Sequence, residues 1–291
     1  MVADQKRKTH VVSFLPWLRI EKEYKIGKVL FWPYQLKKAD YIEDEAFKDQ
    51  LEKIFQSYAD YCQKESLGDP TIASFEDDFF KDLADEDLQY LIRAIHLFAF
   101  SVLAGNEYFT QGGRYFNSIN FQHYSQRFIP GSEHIALVVR RRDGQTLSGG
   151  YKYSEVIFTR PLQARISPVQ ANEELVKGLS ALVEADDEQS RTIISALEWF
   201  FLANTDSEAV TLNTEIVMMA TAFETLFELQ DERDKKEKFI KAVGEAFSDT
   251  RSIHAKRKGV NGREETRSWK EWWADEFYLS LIHISEPTRP Y

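Results

Sequence analysis

Cysteine, histidine and long apolar runs are scarce in this chain of 291 residues. It has one cysteine, Cys62, and six histidines that are scattered along the sequence. One cysteine cannot form an intramolecular disulfide, and it cannot supply a zinc site that needs several cysteine ligands. No apolar run approaches the roughly 20 residues that cross a bilayer, and the polar start, Met1 to His10, has no signal-peptide core. These absences predict a cytoplasmic protein without a membrane partner.

The sequence also lacks the motifs of common enzyme classes. It contains no GxxxxGK[ST] phosphate loop, no GxGxxG after a strand, no HExxH and no GxSxG. Histidine, aspartate and glutamate residues nowhere cluster at the spacing of metal ligands. We therefore expect no cofactor and no bound metal, and any function has to be read from individual residues.

The residues that are present have the proportions of an ordinary globular protein. Hydrophobic residues make up 43% of the chain and charged residues 29%, and the formal net charge is −10. At roughly 100–200 residues per domain, the length predicts about two domains, each large enough for its own core.

The first half predicts strands mixed with helices. Val11 to Ile20 and Ile26 to Tyr34 are rich in β-branched and aromatic residues, which is typical of strands. Apolar residues then recur at helical spacing in two segments, Phe47 to Cys62 and Leu88 to Leu103.

A β-hairpin is predicted after these helices. His134 to Arg141 and Tyr151 to Arg160 are its expected strands, and the glycine-rich residues between them, which include Asp143-Gly144 and Gly149-Gly150, are its expected turn. We place a domain boundary near residue 168, because the pattern becomes helical beyond it.

The second half predicts a helical bundle. Three segments carry periodic apolar stripes: Ser190 to Ala203, Thr214 to Leu229, and Lys235 to Phe247. Residues 249–268 have no stripe and indicate a mobile loop, and a further helix is expected to begin at Trp269. The predicted fold class is α+β, with a mixed helix and β-hairpin domain over 1–168 and a mostly α-helical bundle over 169–278.

We interpret residues 279–291 as foreign to the protein. Leu279 to Arg289 reads, residue for residue, as the translation in one frame of an adapter used in transposase-based sequencing libraries. The alternative is a short apolar strand followed by a Ser-Glu-Pro-Thr turn, but a chance match of this length is far rarer than read-through. We expect an adapter-derived artefact here, so that the helix beginning at Trp269 is truncated at Tyr278.

Glu224 is the polar residue with the most informative position. At 100° per residue it falls about 40° from Ala220, inside the apolar stripe of its helix. A carboxylate there costs free energy unless it is paired or faces a site. Two interpretations are open: a side chain that serves a site, and a side chain that reaches solvent from the edge of the stripe.

One segment is basic in an otherwise acidic chain. Residues 251–270 contain seven Lys or Arg and two Glu, and Lys256, Arg257 and Lys258 are consecutive. Such a segment can contact phosphates, and the three tryptophans that follow it can stack on bases. The alternative is a solvated surface loop followed by a helix whose tryptophans belong to the core.

From Ser190 onward, the order of these features resembles a bacterial HEPN domain, in particular the Apea-like HEPN group. The N-terminal opening, Phe14 to Ile20, is also similar to the start of such proteins. The matching stretches of the second half are Ala196 to Phe200, Ala222 to Leu226, the amphipathic helix Lys235 to Phe247, and Trp272 to Tyr278.

The resemblance implies a metal-independent endoribonuclease, or an RNA-sensing component, of bacterial defence or toxin–antitoxin systems. It implies a homodimer through the helical domain. Within that domain it makes Glu224 an accessory polar residue of the catalytic cleft, and it brings Lys256, Arg257 and Lys258 towards RNA.

The family's catalytic motif is Arg-x4-6-His, in which the Arg holds the scissile phosphate and the His moves protons. It follows an aromatic helix start like Phe277-Tyr278, which is where the adapter sequence begins. His283 has no Arg four to six residues upstream. We therefore predict that the 291-residue chain has no nuclease activity. The alternative function is a non-catalytic HEPN-type module for dimerisation or ligand binding.

Overall fold

A computed structural model provides the structure of the chain. It describes residues 9–61, 66, 68–80, 82–104, 117–141, 144–164, 168–207, 210–229, 234–246, 254–258 and 264–285. The chain divides into two compact units, each described here by itself. Unit 1 comprises Met1–Asp186 with Asn204–Ser207, and unit 2 comprises Asp187–Ala203 with Glu208–Tyr291.

An antiparallel sheet of seven strands lies at the centre of unit 1, in the order β3-β4-β6-β1-β7-β8-β9. Its strands are β1 His10–Leu15, β3 Tyr24–Ile26, β4 Val29–Pro33, β6 Thr71–Phe75, β7 Tyr124–Phe128, β8 His134–Arg140 and β9 Thr146–Lys152. Two short parallel pairs accompany it, β2 Arg19–Ile20 with β11 Pro168–Val169 and β5 Tyr58–Ala59 with β10 Phe158–Thr159.

Helices cover both faces of this sheet. Helices α1 (Tyr34–Tyr41) and α2 (Glu45–Gln56) lie on one face, where the rings of Phe14 and Phe55 are 4.9 Å apart. Helix α3 (Asp85–Leu103) lies on the other face, where Phe31 stacks on Phe98 at 4.3 Å. Burial on both faces explains why β1 and β4 are almost continuously apolar rather than alternating.

Local sequence determines where these helices begin. The carboxylate of Asp44 accepts hydrogen bonds from the backbone N–H groups of Ala46 (2.8 Å) and Phe47 (3.3 Å), which caps α2. Helix α3 has three acidic residues in its first turn, where they interact favourably with the helix dipole. A short 3-10 helix, Ser118–Phe121, precedes β7.

Helix α4 (Glu173–Ala185) is also part of unit 1. It is capped by Asn172, it packs against β3 and α3, and its Ser180 hydroxyl accepts a hydrogen bond from the Gly27 N–H at 2.8 Å. The boundary predicted near residue 168 assigns this segment to the helical domain. The structure instead divides the chain at Asp186, because α4 packs on the sheet of unit 1.

The β8–β9 hairpin differs from the predicted one. Its second strand is Thr146–Lys152, so Gly149 and Gly150 lie within the strand and not in the turn. The chain reverses closer to β8, where Gly144 adopts a positive φ of 84°, a conformation that glycine reaches without strain. An exposed edge strand tolerates the two glycines that a buried central strand would not.

Unit 2 contains four helices and one hairpin within its described residues. They are α5 Glu188–Ala203, α6 Leu212–Leu226, α7 Lys235–Ala246, β12 His254–Lys258, β13 Glu264–Ser268 and α8 Trp269–Ser285. Helix α5 packs mainly on α6, and α7 on α8. The buried apolar cluster consists of Leu229, Phe239, Ile240, Val243 and Ala274. The α+β fold class is thereby confirmed.

The loop predicted over 249–268 is wrong in its described part. Strands β12 and β13 pair in antiparallel register, with Arg257 opposite Glu265 and Lys258 opposite Glu264. Pairing satisfies backbone groups that a loop leaves to solvent, and it sets residues of opposite charge at opposite positions.

Helix α8 extends beyond the truncation point inferred from the sequence. It runs through Ser285, so the segment that we interpret as adapter-derived begins inside it, and residues 286–291 lie outside the described residues. No helix in the described part of the chain is long and apolar enough to cross a bilayer.

Candidate functional site

Glu224 lies on α6 and has two partners in unit 2. Its Oε2 atom is 2.8 Å from Nζ of Lys235, the first residue of α7, and its Oε1 atom accepts a hydrogen bond from the Tyr278 hydroxyl of α8 at 3.2 Å. The carboxylate is therefore paired rather than extended into water. We call Glu224, Lys235 and Tyr278 the Glu224 cluster.

Aromatic rings surround the Glu224 cluster. Phe223 packs on Phe239 at 5.5 Å and on Phe277 at 5.8 Å, and Tyr278 packs on Phe239 at 6.0 Å. Burial among these rings, with the negative charge of Glu224 beside it, raises the pKa of Tyr278 to about 12. Tyr278 therefore stays protonated and donates its hydrogen bond to Glu224 at physiological pH.

A second group of charges lies where α7, β13 and α8 meet. Asp275 is 5% exposed, and its Oδ1 atom is 2.5 Å from Lys236 Nζ and 3.7 Å from the Arg267 guanidinium. Arg267 also lies over the ring of Trp272 at 5.3 Å. We call Asp275, Lys236 and Arg267 the Asp275 cluster. It holds two cations around one buried carboxylate.

The residues predicted to bind RNA, Lys256, Arg257 and Lys258, form the last three positions of strand β12. Strand β12 pairs along its whole length with β13, and β13 runs directly into α8. In the described residues, the partners of Glu224 come from α7 and α8, so the structure does not join the two sets of predicted residues into one site.

The tryptophans of α8 have two different environments. Trp272 is 3% exposed, whereas Trp269 is 50% and Trp273 48% exposed. The sequence left open whether these rings stack on a ligand or form core. The structure places Trp272 in the core and leaves the other two half-exposed, with one face of Trp273 stacked on Phe277 at 5.4 Å. Half-exposed indoles next to a basic hairpin can stack on bases while cations hold phosphates.

Sequence reasoning missed the Asp275 cluster, although a signal was present. Asp275 follows Trp272 by three residues, which puts both on one side of a helix. If the tryptophan is buried, the carboxylate on the same side of the helix is buried too and needs a partner. Among the described residues, no three His, Cys, Asp or Glu side chains come together in a way that could hold a metal ion.

Compared with protein-family models, with curated proteins and with solved structures, the chain matches none of them.

Unit 1 holds a pair of titratable groups that the sequence did not bring together. Burial, together with the charge of the nearby His123, lowers the pKa of His96, on α3, to about 4. Burial likewise lowers the pKa of His123 to about 4. Both imidazoles are therefore neutral in the folded protein at pH 7, as histidines that act in packing rather than as cations.

We expect these two histidines to make unit 1 less stable as the pH falls from about 6.5 to about 4. In that range the unfolded chain binds protons at histidine, whose ordinary pKa is about 6.5, and the folded chain does not. Each group therefore costs up to about 1.4 kcal/mol per pH unit. Urea unfolding at several pH values measures this effect. As the pH falls, the free energy of unfolding should decrease less steeply in the double variant His96→Gln/His123→Gln than in the wild type. The exposed His134→Gln is the control, and equal slopes for all three proteins would contradict the expectation.

Proposed function

We propose that unit 2 is a HEPN-like RNA-binding module of a bacterial protein that acts on or senses RNA in defence or toxin–antitoxin systems. One observation supports this most: a basic strand is continuous, through its hairpin partner, with a helix that presents two half-exposed tryptophans. The resemblance to HEPN domains supports the same conclusion from the sequence.

The chemistry of this surface suits a single-stranded polyanion. Lysine and arginine neutralise phosphates and release counterions, a contribution to affinity that does not depend on sequence. Stacking of a base on an aromatic side chain contributes about 1–3 kcal/mol per base. Trp269 and Trp273 are one helical turn apart, so both lie on one side of α8.

In this proposal Glu224 is a positioning residue. Its carboxylate is held by the Lys235 ammonium and the Tyr278 hydroxyl, so it fixes the start of α7 against α8. The same pairing fits the second candidate function, a non-catalytic HEPN-type module for dimerisation or ligand binding, because in it Glu224 acts by holding the helices of unit 2 together.

Replacing Lys256, Arg257 and Lys258 together by alanine is expected to weaken RNA binding and its dependence on salt. Single strands lose about 0.7 in the slope of log K against log [salt] for each phosphate contact, so three contacts correspond to about 2. Fluorescence anisotropy of a labelled single-stranded RNA at several salt concentrations measures both quantities.

The matched control replaces three lysines of unit 1, Lys22, Lys25 and Lys53, and so changes the net charge by the same amount. It should leave the slope unchanged. If the control and the triple variant of β12 reduce binding equally, the basic strand is not a specific contact, and if neither reduces it, the proposed RNA surface is wrong.

We expect the 291-residue chain to bind RNA without cleaving it. The one Arg-x4-6-His spacing in the sequence, Arg127 to His134, lies on strands β7 and β8 and not on one helix, so it does not present both side chains on one helical face. Incubation of the purified chain with labelled RNA in EDTA should leave the RNA intact. EDTA-resistant cleavage that is lost in Glu224→Ala, with the fold retained, would overturn this and give Glu224 a catalytic role.

A further inference from the structure

Among the described residues, strand β9 is an open edge of the sheet in unit 1. At the other edge, β3 has only three residues and α4 packs along it. Strand β9 has seven residues, and β8 is its one partner strand among the described residues. Its centre, Ser148 to Gly150, is exposed. Proteins usually protect such an edge with charges, proline or a bulge, but β9 contains no proline and Lys152 is its one charged residue.

The hydrogen bonds of the β8–β9 hairpin show which backbone groups face outward. The Arg141 N–H donates to the Gln145 carbonyl at 2.8 Å, so these two residues form a hydrogen-bonded pair. Such pairs alternate along antiparallel strands. The odd-numbered residues of β9 therefore turn their backbone groups towards β8. The even-numbered residues, from 146 to 152, present theirs to the open edge.

We propose that β9 pairs with β9 of a second copy of this chain, antiparallel and about a two-fold axis at Gly149. Opposite residues of an antiparallel pair lie on one face, so the axis must pass through a residue, and Gly149 is the middle residue of the strand. All of β9 then pairs. Ser148 lies opposite Gly150, and Thr146 opposite Lys152, and these outward-facing residues form the hydrogen-bonded pairs.

At the axis itself, Gly149 meets Gly149 in a pair without hydrogen bonds between them. The Cα atoms of such pairs approach to about 4.5 Å, closer than in the hydrogen-bonded pairs. Glycine suits this position because neither copy has a side chain there to collide with the other. The two consecutive glycines of an exposed strand thereby acquire a function.

The side chains agree with this register. Lys152 lies opposite the uncharged Thr146 instead of opposite itself. The occupant of this edge is therefore another copy of the chain, whose own β9 presents the same alternation of outward backbone groups and places no like charges opposite each other.

Apolar side chains beside the edge also gain cover. Leu147 is 50% exposed and Val139, its cross-strand partner on β8, is 48% exposed. In the paired sheet, Leu147 of each copy lies opposite Tyr151 of the other, on the face that carries Val139. An aromatic and an aliphatic side chain at opposite positions stabilise antiparallel strands.

Ser148→Pro tests the pairing. The backbone N–H of Ser148 points away from β8, so proline at this position removes an outward donor and leaves the hairpin intact. In sedimentation equilibrium of the full chain, the wild type and Ser148→Ala should dimerise, and Ser148→Pro should raise the dimer dissociation constant about tenfold or more. A wild-type chain that stays monomeric at every concentration overturns the proposal. A dimer that Ser148→Pro leaves unchanged also overturns it and places the interface elsewhere.

Cysteine cross-linking tests the register in a Cys62→Ser background. A Cβ added at Gly149 meets no atom within 4 Å, and two cysteines at the axis approach the separation that a disulfide needs. Gly149→Cys should form a covalent dimer on mild oxidation. Gly150→Cys, opposite Ser148, should cross-link far less and is the matched control. Equal cross-linking of both variants, or none by either, is the result that rejects the axis at Gly149.

Discussion

Replacing Phe14 by alanine is expected to lower the free energy of unfolding of unit 1 by about 3–5 kcal/mol. Phe14 is fully buried in the central strand β1, with its ring 4.9 Å from those of both Phe55 and Tyr58. These contacts join β1 to α2 and to the short strand β5. The substitution removes buried apolar area and leaves a cavity among rings that cannot all move to fill it.

Hydrogen–deuterium exchange of peptides from β1 and α2, together with urea unfolding, measures this loss for unit 1 separately from unit 2. Phe14→Leu is the conservative variant and should cost clearly less, since it keeps most of the volume. Leu162→Ala, at a side chain that is 62% exposed, should change stability by less than about 0.5 kcal/mol. A Phe14→Ala protein as stable as Leu162→Ala would mean that this aromatic cluster is not the core of unit 1.

The parts of unit 1 that were predictable are those with a strong local pattern. Strands β1 and β4 overlap the two β-rich segments, and α2 and α3 overlap the two segments with helical periodicity, each helix beginning two or three residues earlier than predicted. The first of these helices is also shorter than predicted, because it ends at Gln56 and Tyr58–Ala59 forms a strand. In each of the four elements a single stretch of chain buries its own apolar side chains, and such a stretch shows its period without its partners. Strand pairing was not predictable, because β1 lies between β6 and β7, which are distant in sequence.

The sequence of helix α4 contains a clear helical signal but no sign of the unit to which the helix belongs. Leu175, Val176, Leu179 and Leu182 recur at helical spacing, and Asn172 followed by two glutamates is a helix start. The boundary predicted near residue 168 assigns this helix to the next domain, because the pattern becomes helical there. Only its packing on β3 shows which unit it belongs to.

The candidate site was half predictable. The helical period shows that Glu224 lies among apolar residues, so the need for a partner follows from sequence. The identity of the partners does not. Lys235 is on another helix, and Tyr278 is 54 residues away in the chain. The hairpin of β12 was missed because its strands are charged, and polar strands lack the apolar alternation that marks a half-buried strand.

Replacing Asp275 by alanine is expected to lower the free energy of unfolding of unit 2 substantially. Its carboxylate is almost fully buried and is 2.5 Å from Lys236 Nζ. Removing one member of a buried ion pair costs about 3–5 kcal/mol, because the remaining charge loses its compensation. Lys236 and Arg267 keep 23% and 17% of their side chains exposed, and water offsets part of that cost. We expect a loss of about 2–3 kcal/mol.

A double-mutant cycle with Lys236→Met separates the interaction from the burial of the groups that make it. If the Asp275–Lys236 pair stabilises unit 2, Asp275→Ala should cost much less in the Lys236→Met background than in the wild type. Asp275→Asn keeps the shape of the side chain and an acceptor but not the charge. Its stability should lie between those of the wild type and Asp275→Ala. Hydrogen–deuterium exchange of peptides from α7 and α8 measures the stability of unit 2 in each variant. Additive losses would show that Asp275 acts through its packing alone, and Arg267 would then be held in place by Trp272 and Glu237 instead.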